Sequence, residues 1–339
     1  MTDAEAKRYT RADFQADQEV RWCPGCGDYA VLAAVQTFLA DVDLDREKVV
    51  FVSGIGCSSR FPYYMNTFGF HGIHGRAPAI ASGIALANPG LSVWVVTGDG
   101  DALSIGGNHF IHAMRRNLNL KILLFNNQIY GLTKGQFSPT SEPGKRTKSS
   151  PTGSLGAPFN PISLALGAEA GFVARTIDTD RALTIELLHR AHQYRGTAFI
   201  EIYQKCNVFN EQAFVALTGR DERLENRINL RHGKPVVFGR NDEKGVVLLS
   251  RGARIVDVAE IGLDAVHVHD EHASDPSAAF ALSRLSSSPQ GPTPLGVFRD
   301  VTRPLYEDEL QRQLRDAQER RGPSSLGELI RQTGTWTVD

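Results

Sequence analysis

Five short apolar runs, at residues 49–52, 93–97, 121–125, 172–177 and 198–203, alternate with stretches of helical periodicity. Runs that are apolar at nearly every position suit strands buried on both faces, and parallel neighbours need a crossover, usually helical, between them. The alternation therefore predicts an α/β protein, with a parallel sheet flanked by helices on both faces. Helices are expected over residues 29–40, 78–87, 103–116, 161–170 and 181–194, with Asp28 and Asp180 placed as N-caps and Gly171 and Gly196 as stops.

The texture changes near residue 221. Residues 1–220 read as the main domain, and residues 221–339 as a C-terminal extension packed on that domain or on a partner. In the extension, short strands are expected at 246–249, 265–269 and 295–298, and a charged helix at 306–321. Residues 138–158, with four prolines and three glycines, read as a surface loop or a lid.

Charge excludes some function classes. Lys plus Arg number 37 against 38 Asp plus Glu, so no basic surplus points to nucleic acid or an anionic membrane. No 18 apolar residues run together and the first residues lack an apolar segment, so a cytoplasmic protein is expected. Four cysteines in a chain of 339 residues suggest metal or redox chemistry rather than a disulfide framework.

Two of the expected strands end in polar motifs, Gly98-Asp99-Gly100-Asp101 and Asn126-Asn127. Both fall at the carboxyl edge of the sheet, where open α/β folds bind ligands. Mg²⁺ takes about six oxygens, with one or two carboxylates and ligand phosphates typical among them. Asp99 offers a charged oxygen, Asn127 an amide oxygen and Ile129 a backbone carbonyl, while Gly98 and Gly100 let the main chain approach phosphates. A lone G-D-G is an ordinary turn. At a separation of 30 residues, G-D-G and N-N together resemble the thiamine-diphosphate motif.

Cys23 and Cys26 form a C-x2-C pair, Cys57 lies in a glycine-rich loop after the first strand, and Cys206 follows the strand ending near Tyr203. Four thiolates suit either a 4Fe-4S cluster or structural zinc, and buried cysteines also serve as small hydrophobes. A redox-active centre has more reason than zinc to stand beside an organic cofactor crevice. His109 and His112, at helical spacing, read as packing or helix-surface residues.

Together, Trp22-Cys-Pro-Gly-Cys-Gly27, Gly54-Ile-Gly-Cys-Ser58, His74-Gly-Arg76, Gly98-Asp-Gly-Asp101, Asn108-His-Phe-Ile-His112, Asn126-Asn127 and Tyr130-Gly-Leu-Thr-Lys-Gly-Gln136 resemble the beta subunit of 2-oxoacid:ferredoxin oxidoreductases. The likeness runs over residues 20–215, and Val268-His-Asp270 and Pro294-Leu-Gly-Val-Phe298 are similar to the extension of the 2-oxoglutarate branch. The resemblance implies a thiamine-diphosphate-binding fold and three cofactors: thiamine diphosphate, Mg²⁺ and one 4Fe-4S cluster. It assigns Cys23, Cys26, Cys57 and Cys206 to the cluster and Asp99, Asn127 and Ile129 to Mg²⁺. Ile55, Gly56, Cys57, Ser58, His74, Gly100, Asp101, Gly131 and Leu132 would touch the thiamine diphosphate. The implied reaction is reversible, coenzyme A-dependent oxidative decarboxylation of a 2-oxoacid, with electrons passed through the cluster to ferredoxin.

His74 and Lys134 are the candidate catalytic residues, Lys134 as the partner of a second substrate carboxylate that would favour 2-oxoglutarate over pyruvate. A pyruvate or broad-specificity enzyme, a non-oxidative thiamine-dependent decarboxylase and a zinc-stapled scaffold are the competing readings. No glutamate occurs between Lys48 and Ser141. The glutamate that activates thiamine diphosphate must then come from later in the chain or from elsewhere. The resemblance assigns it to an alpha subunit that also completes the substrate pocket, in a dimer of alpha-beta heterodimers.

Overall fold

The computed structural model describes residues 9–42, 44–250, 252–287, 291–323, 325–336 and 338. Its central element among these residues is an eight-stranded sheet. Six strands come from the main domain: β1 (Val49–Ser53), β2 (Phe68–His71), β3 (Ser92–Gly98), β4 (Leu120–Asn126), β5 (Phe172–Ile177) and β6 (Ala198–Tyr203). They lie parallel in the order β2-β1-β3-β4-β6-β5. Two more strands, β7 (Arg227–Asn229) and β11 (Thr293–Asp300), come from beyond residue 221, and β11 joins β5 antiparallel with β7 outside it. The same region folds a small antiparallel sheet of β8 (Val237–Phe238), β9 (Lys244–Leu249) and β10 (Gly252–Asp257), and helix Tyr306–Arg321 follows.

Alternation along the central strands sorts side chains into two cores. Phe51, Trp94, Phe125 and Ile200 face one side, where α1 (Asp28–Asp41) lends Val35 and Phe38. Val50, Val52, Val95, Ile122 and Phe199 face the other, against Ala81 of α2 (Ala77–Ala87) and, further along the chain, Phe110 and Ile162. Lys121 is the polar exception inside β4: its Nζ donates to the carbonyls of Tyr194 and Gly196 and to Asn119 Oδ1, so the ammonium is satisfied where the strand begins.

Three local expectations change. The helix expected over 103–116 is two helices, α3 (Asp99–Leu103) and α4 (Gly107–Arg116), because the chain turns at Gly106 to meet Gly75. A Cβ on Gly75, at φ +66°, would stand 2.4 Å from the Gly106 nitrogen, so this backbone contact requires glycine. Asp28 is not an N-cap. It is the first residue of α1, after Gly27, and it is buried with neither carboxylate oxygen hydrogen-bonded. Asp180 does cap the next helix on that face, accepting from the Leu183 amide. The strand expected at 265–269 is a 3-10 turn at Leu263–Ala265 and a single bridge between Val268 and Pro235, since Pro235 has no N–H to extend a ladder.

Candidate active site

Loops after β1, β2, β3, β4 and β6 meet at the carboxyl edge of the sheet and line a crevice of about 280 Å³. Ile55, Gly56, Cys57, Ser58, His74, Gly100, Asp101, Gly131 and Leu132 all line it, as do Asp99, Asn127 and Ile129. Lys134 does not. It follows Thr133, which lines the crevice, and it is exposed with a left-handed backbone at φ 80°. Its side chain is exposed on the loop that runs on from the crevice lining at Thr133.

The two aspartates of the β3 loop are buried for different purposes. Asp101 Oδ2 accepts from Thr97 Oγ1, and its Oδ1 accepts from the Ile55 and Gly75 amides at 3.1 and 2.7 Å. Its carboxylate thus ties the loops after β1 and β2 to β3, and His74 Nδ1 stands 3.9 Å from it. A Cβ on Gly54 would lie 2.0 Å from Asp101 Oδ2, so a glycine is required for that carboxylate to fit. Asp99 instead takes hydroxyl donors, Ser138 Oγ at 2.5 Å and Thr140 Oγ1 at 2.6 Å. Burial pushes its carboxyl up to about 6 while these hydroxyls pull it down.

The Asn126-Asn127 pair is held from behind. Asn126 Oδ1 accepts from the Gln128 amide and stands 3.0 Å from Thr140 Oγ1, and its Nδ2 donates to Glu201 Oε1 at 2.7 Å. Glu201 is in turn paired with Arg175 at 2.7 Å, both fully buried. This fixes the turn so that Asn127 Oδ1 takes the Ile129 amide and its Nδ2 donates to Gln204 Oε1. Tyr130 closes the crevice by donating to the Gly100 carbonyl, and a Cβ on Gly100 would lie 2.2 Å from its ring.

The four cysteines are free, and Cys57 lies near enough to Cys23, Cys26 and Cys206 for their charges to interact. Cys57 lines the crevice, and a Cβ on Gly131 would stand 3.5 Å from its sulfur and 3.8 Å from that of Cys206. Cys23 and Cys26 share a tight turn, Cys26 N donating to Cys23 O, with Gly25 at φ +79°. Gln204 Nε2 lies 3.2 Å from Cys26 Sγ, so one amide side chain touches both the cysteine group and Asn127. Burial first, and then the negative charge of Asp28, pushes the Cys57 thiol up to about 12 and that of Cys26 higher still. Such thiols stay protonated at neutral pH until a metal displaces the proton.

Ser138, Thr140 and Gln204 stand in none of the sequence motifs, and Tyr130 enters only as the start of its loop motif, without a role. The hydroxyl run in Ser138-Pro-Thr-Ser141 was a signal for the first two, since hydroxyl donors near an acidic motif suit a buried carboxylate.

Residues 54–202 match the thiamine pyrophosphate enzyme, C-terminal TPP binding domain family. The chain is 58% identical over 330 residues, 96% of its length and 88% of the relative's, to 2-oxoglutarate oxidoreductase subunit KorB of Mycobacterium tuberculosis. It belongs to the 2-oxoacid:ferredoxin oxidoreductase beta-subunit family. Over 200 residues, 59% of this chain and 63% of the relative, it is 46% identical to 2-oxoacid:ferredoxin oxidoreductase 1, subunit beta, of Aeropyrum pernix. A solved 2-oxoglutarate:ferredoxin oxidoreductase from Magnetococcus marinus, with 2-oxoglutarate, coenzyme A and succinyl-CoA bound, superposes over 98% of both chains with a TM-score of 0.78 at 30% identity. As the beta subunit of such an oxidoreductase, the chain carries the thiamine-diphosphate domain of a multi-subunit enzyme. Among the described residues no helix is long and apolar enough to cross a membrane.

Proposed function

We propose that the crevice holds thiamine diphosphate through Mg²⁺ bound by Asp99, Asn127 and the Ile129 carbonyl, and that Cys23, Cys26, Cys57 and Cys206 hold a 4Fe-4S cluster beside it. When bound, thiamine diphosphate supplies the decarboxylation of the 2-oxoacid and the cluster accepts electrons singly for ferredoxin. The observation that carries this reading is Cys57, whose residue lines the crevice and whose sulfur shares the Gly131 cradle with Cys206.

Asp99, kept in position by Ser138 and Thr140, presents a charged oxygen to a hard cation. Asp101 spends its carboxylate on backbone amides and shapes the loops around the cofactor. His74, with a side chain 64% exposed at the crevice, is placed to meet substrate or cofactor. A cluster is favoured over zinc because Cys57 lines the cofactor crevice, where a centre that accepts electrons has a use and redox-inert zinc has none.

No glutamate lines the crevice among the described residues. This supports an activating glutamate supplied by an alpha subunit, and the exposed Phe68, Phe70 and Ile73 next to His74 suit a surface covered by that partner. The substrate favoured is 2-oxoglutarate, oxidised to succinyl-CoA and CO₂ in a cytoplasmic dimer of alpha-beta heterodimers. The test is a 2-oxoacid panel with coenzyme A and a viologen dye, run on the complete complex and on this chain alone. Turnover of 2-oxoglutarate by the complex only is expected, and full turnover by the isolated chain would refute the shared site.

A further inference from the structure

The segment around Val268-His269-Asp270 takes no part in the crevice, yet it brings two imidazoles and a carboxylate together. His232, Glu271 and His272 each offer a ligand atom within 4.8 Å of the other two, the one such group among the described residues. We infer that these three side chains bind a borderline divalent metal ion, best matched by zinc, which clasps the turn carrying His232 to the segment carrying Glu271 and His272.

The donors are held in place before any metal arrives. The turn carrying His232 is hydrogen-bonded to the segment carrying Glu271 and His272, Gly233 N donating to His269 O and His269 N to Lys234 O. His272 Nδ1 lies 2.8 Å from the Asp300 carbonyl, which only accepts. Its proton therefore sits on Nδ1, and the Nε2 lone pair is available to a metal. Glu271, 7% exposed, is oriented by Arg190, whose NH2 and NH1 donate to Oε1 and Oε2 at 2.9 and 3.1 Å. Arg190 also donates to Asp300 Oδ2 at 2.6 Å, so its charge is already met. Each carboxylate oxygen keeps a lone pair beyond these bonds.

Spacing and charge fit the ion. Two ligands at about 2.1 Å from a tetrahedral zinc stand about 3.4 Å apart. Glu271 Oε1 and His272 Nε2 are 3.5 Å apart. The His232 and His272 rings lie side by side with centroids 4.7 Å apart, both about half exposed, so water has access as a fourth ligand. Asp270, 3.6 Å from His232 Nδ1, adds acidic charge that a dication offsets. Two nitrogens and one oxygen suit zinc, cobalt or nickel, whereas calcium and magnesium prefer all-oxygen shells.

The test uses the untagged alpha-beta complex with its iron centre intact, washed with chelator and titrated with ZnCl₂ by calorimetry. One saturable equivalent per chain is expected, with affinity falling roughly 10- to 100-fold in His232→Ala or His272→Ala. Turnover is unchanged in both, and zinc raises the melting temperature of the wild type alone. Each variant removes one donor and leaves the Arg190–Glu271–Asp300 contacts in place. Co²⁺ in place of zinc should give visible bands of nitrogen and oxygen ligation without thiolate charge transfer, which separates this site from the cysteines. Zinc binding that is unsaturable, or equal in wild type and both variants, overturns the proposal.

Discussion

Ser138→Ala removes one of the two hydroxyls that hold Asp99 charged, and its effect follows from the geometry. Ser138 Oγ and Thr140 Oγ1 both donate to Asp99 Oδ2, at 2.5 and 2.6 Å, against a burial that has already lifted the carboxyl to about 6. A hydrogen bond to a charged group contributes about 1.5–3 kcal/mol, which corresponds to about 1–2 pH units. Without Ser138 the carboxyl titrates at about 7–8, and protons compete with Mg²⁺ for Asp99 at neutral pH. The fraction ionised at pH 7 falls from nearly all to between about a half and a tenth. The apparent Kd for Mg²⁺, read from cofactor binding to the complex, should therefore rise about 2- to 10-fold at pH 7 and return to the wild-type value near pH 9. A Ser138→Ala enzyme with wild-type Mg²⁺ affinity at pH 7, or with a deficit that does not shrink as pH rises, would refute the role given to these hydroxyls.

Glu201→Ala leaves Arg175 buried without its carboxylate and frees Asn126 Nδ2, so urea unfolding should show a loss of about 3–5 kcal/mol; a loss under about 1 kcal/mol would remove the pair from the frame of the site. Asp28→Asn should stabilise the complex increasingly as pH rises from 4 to 7. The folded carboxyl is raised to about 7 from 3.8, so in that window the unfolded chain gives up a proton the folded chain keeps, and wild-type stability falls. The difference reaches at most about 4 kcal/mol above pH 7, and melting curves of equal spacing from pH 5 to 8 would contradict it. Lys134→Ala should raise the KM for 2-oxoglutarate about 5-fold and leave that for pyruvate alone, the scale of one exposed ion pair. Equal changes for both substrates would remove Lys134 from specificity.

Much of this architecture was legible because buried parallel strands leave unbroken apolar runs, as β1, β3, β4, β5 and β6 do. The motif loops were legible for a related reason: their glycines mark close backbone contacts, as at Gly100 against Tyr130. Edge strand β2 left no such trace, since Phe68-Gly-Phe-His71 is exposed throughout and pairs on one side only. Nor did β7, only three residues long, and although residues 295–298 read as a strand, nothing local showed that β11 would join β5 over a hundred residues earlier. Asp28 looked like a cap because it precedes an apolar helix, and only tertiary packing against Asp178 and Cys26 reveals a buried acid. The support behind the metal motif, Glu201 with Arg175 and Asn126, depends on pairing β4, β5 and β6, which no local pattern encodes.

Iron and acid-labile sulfide analysis of the anaerobically purified complex tests the central claim most directly, provided wild type and Cys57→Ala are compared. The account predicts about four irons and four sulfides per chain, broad absorbance near 400 nm, and loss of both with electron transfer in Cys57→Ala. One zinc and no iron in the wild type, or a Cys57→Ala complex that keeps its full iron and its turnover, would contradict it.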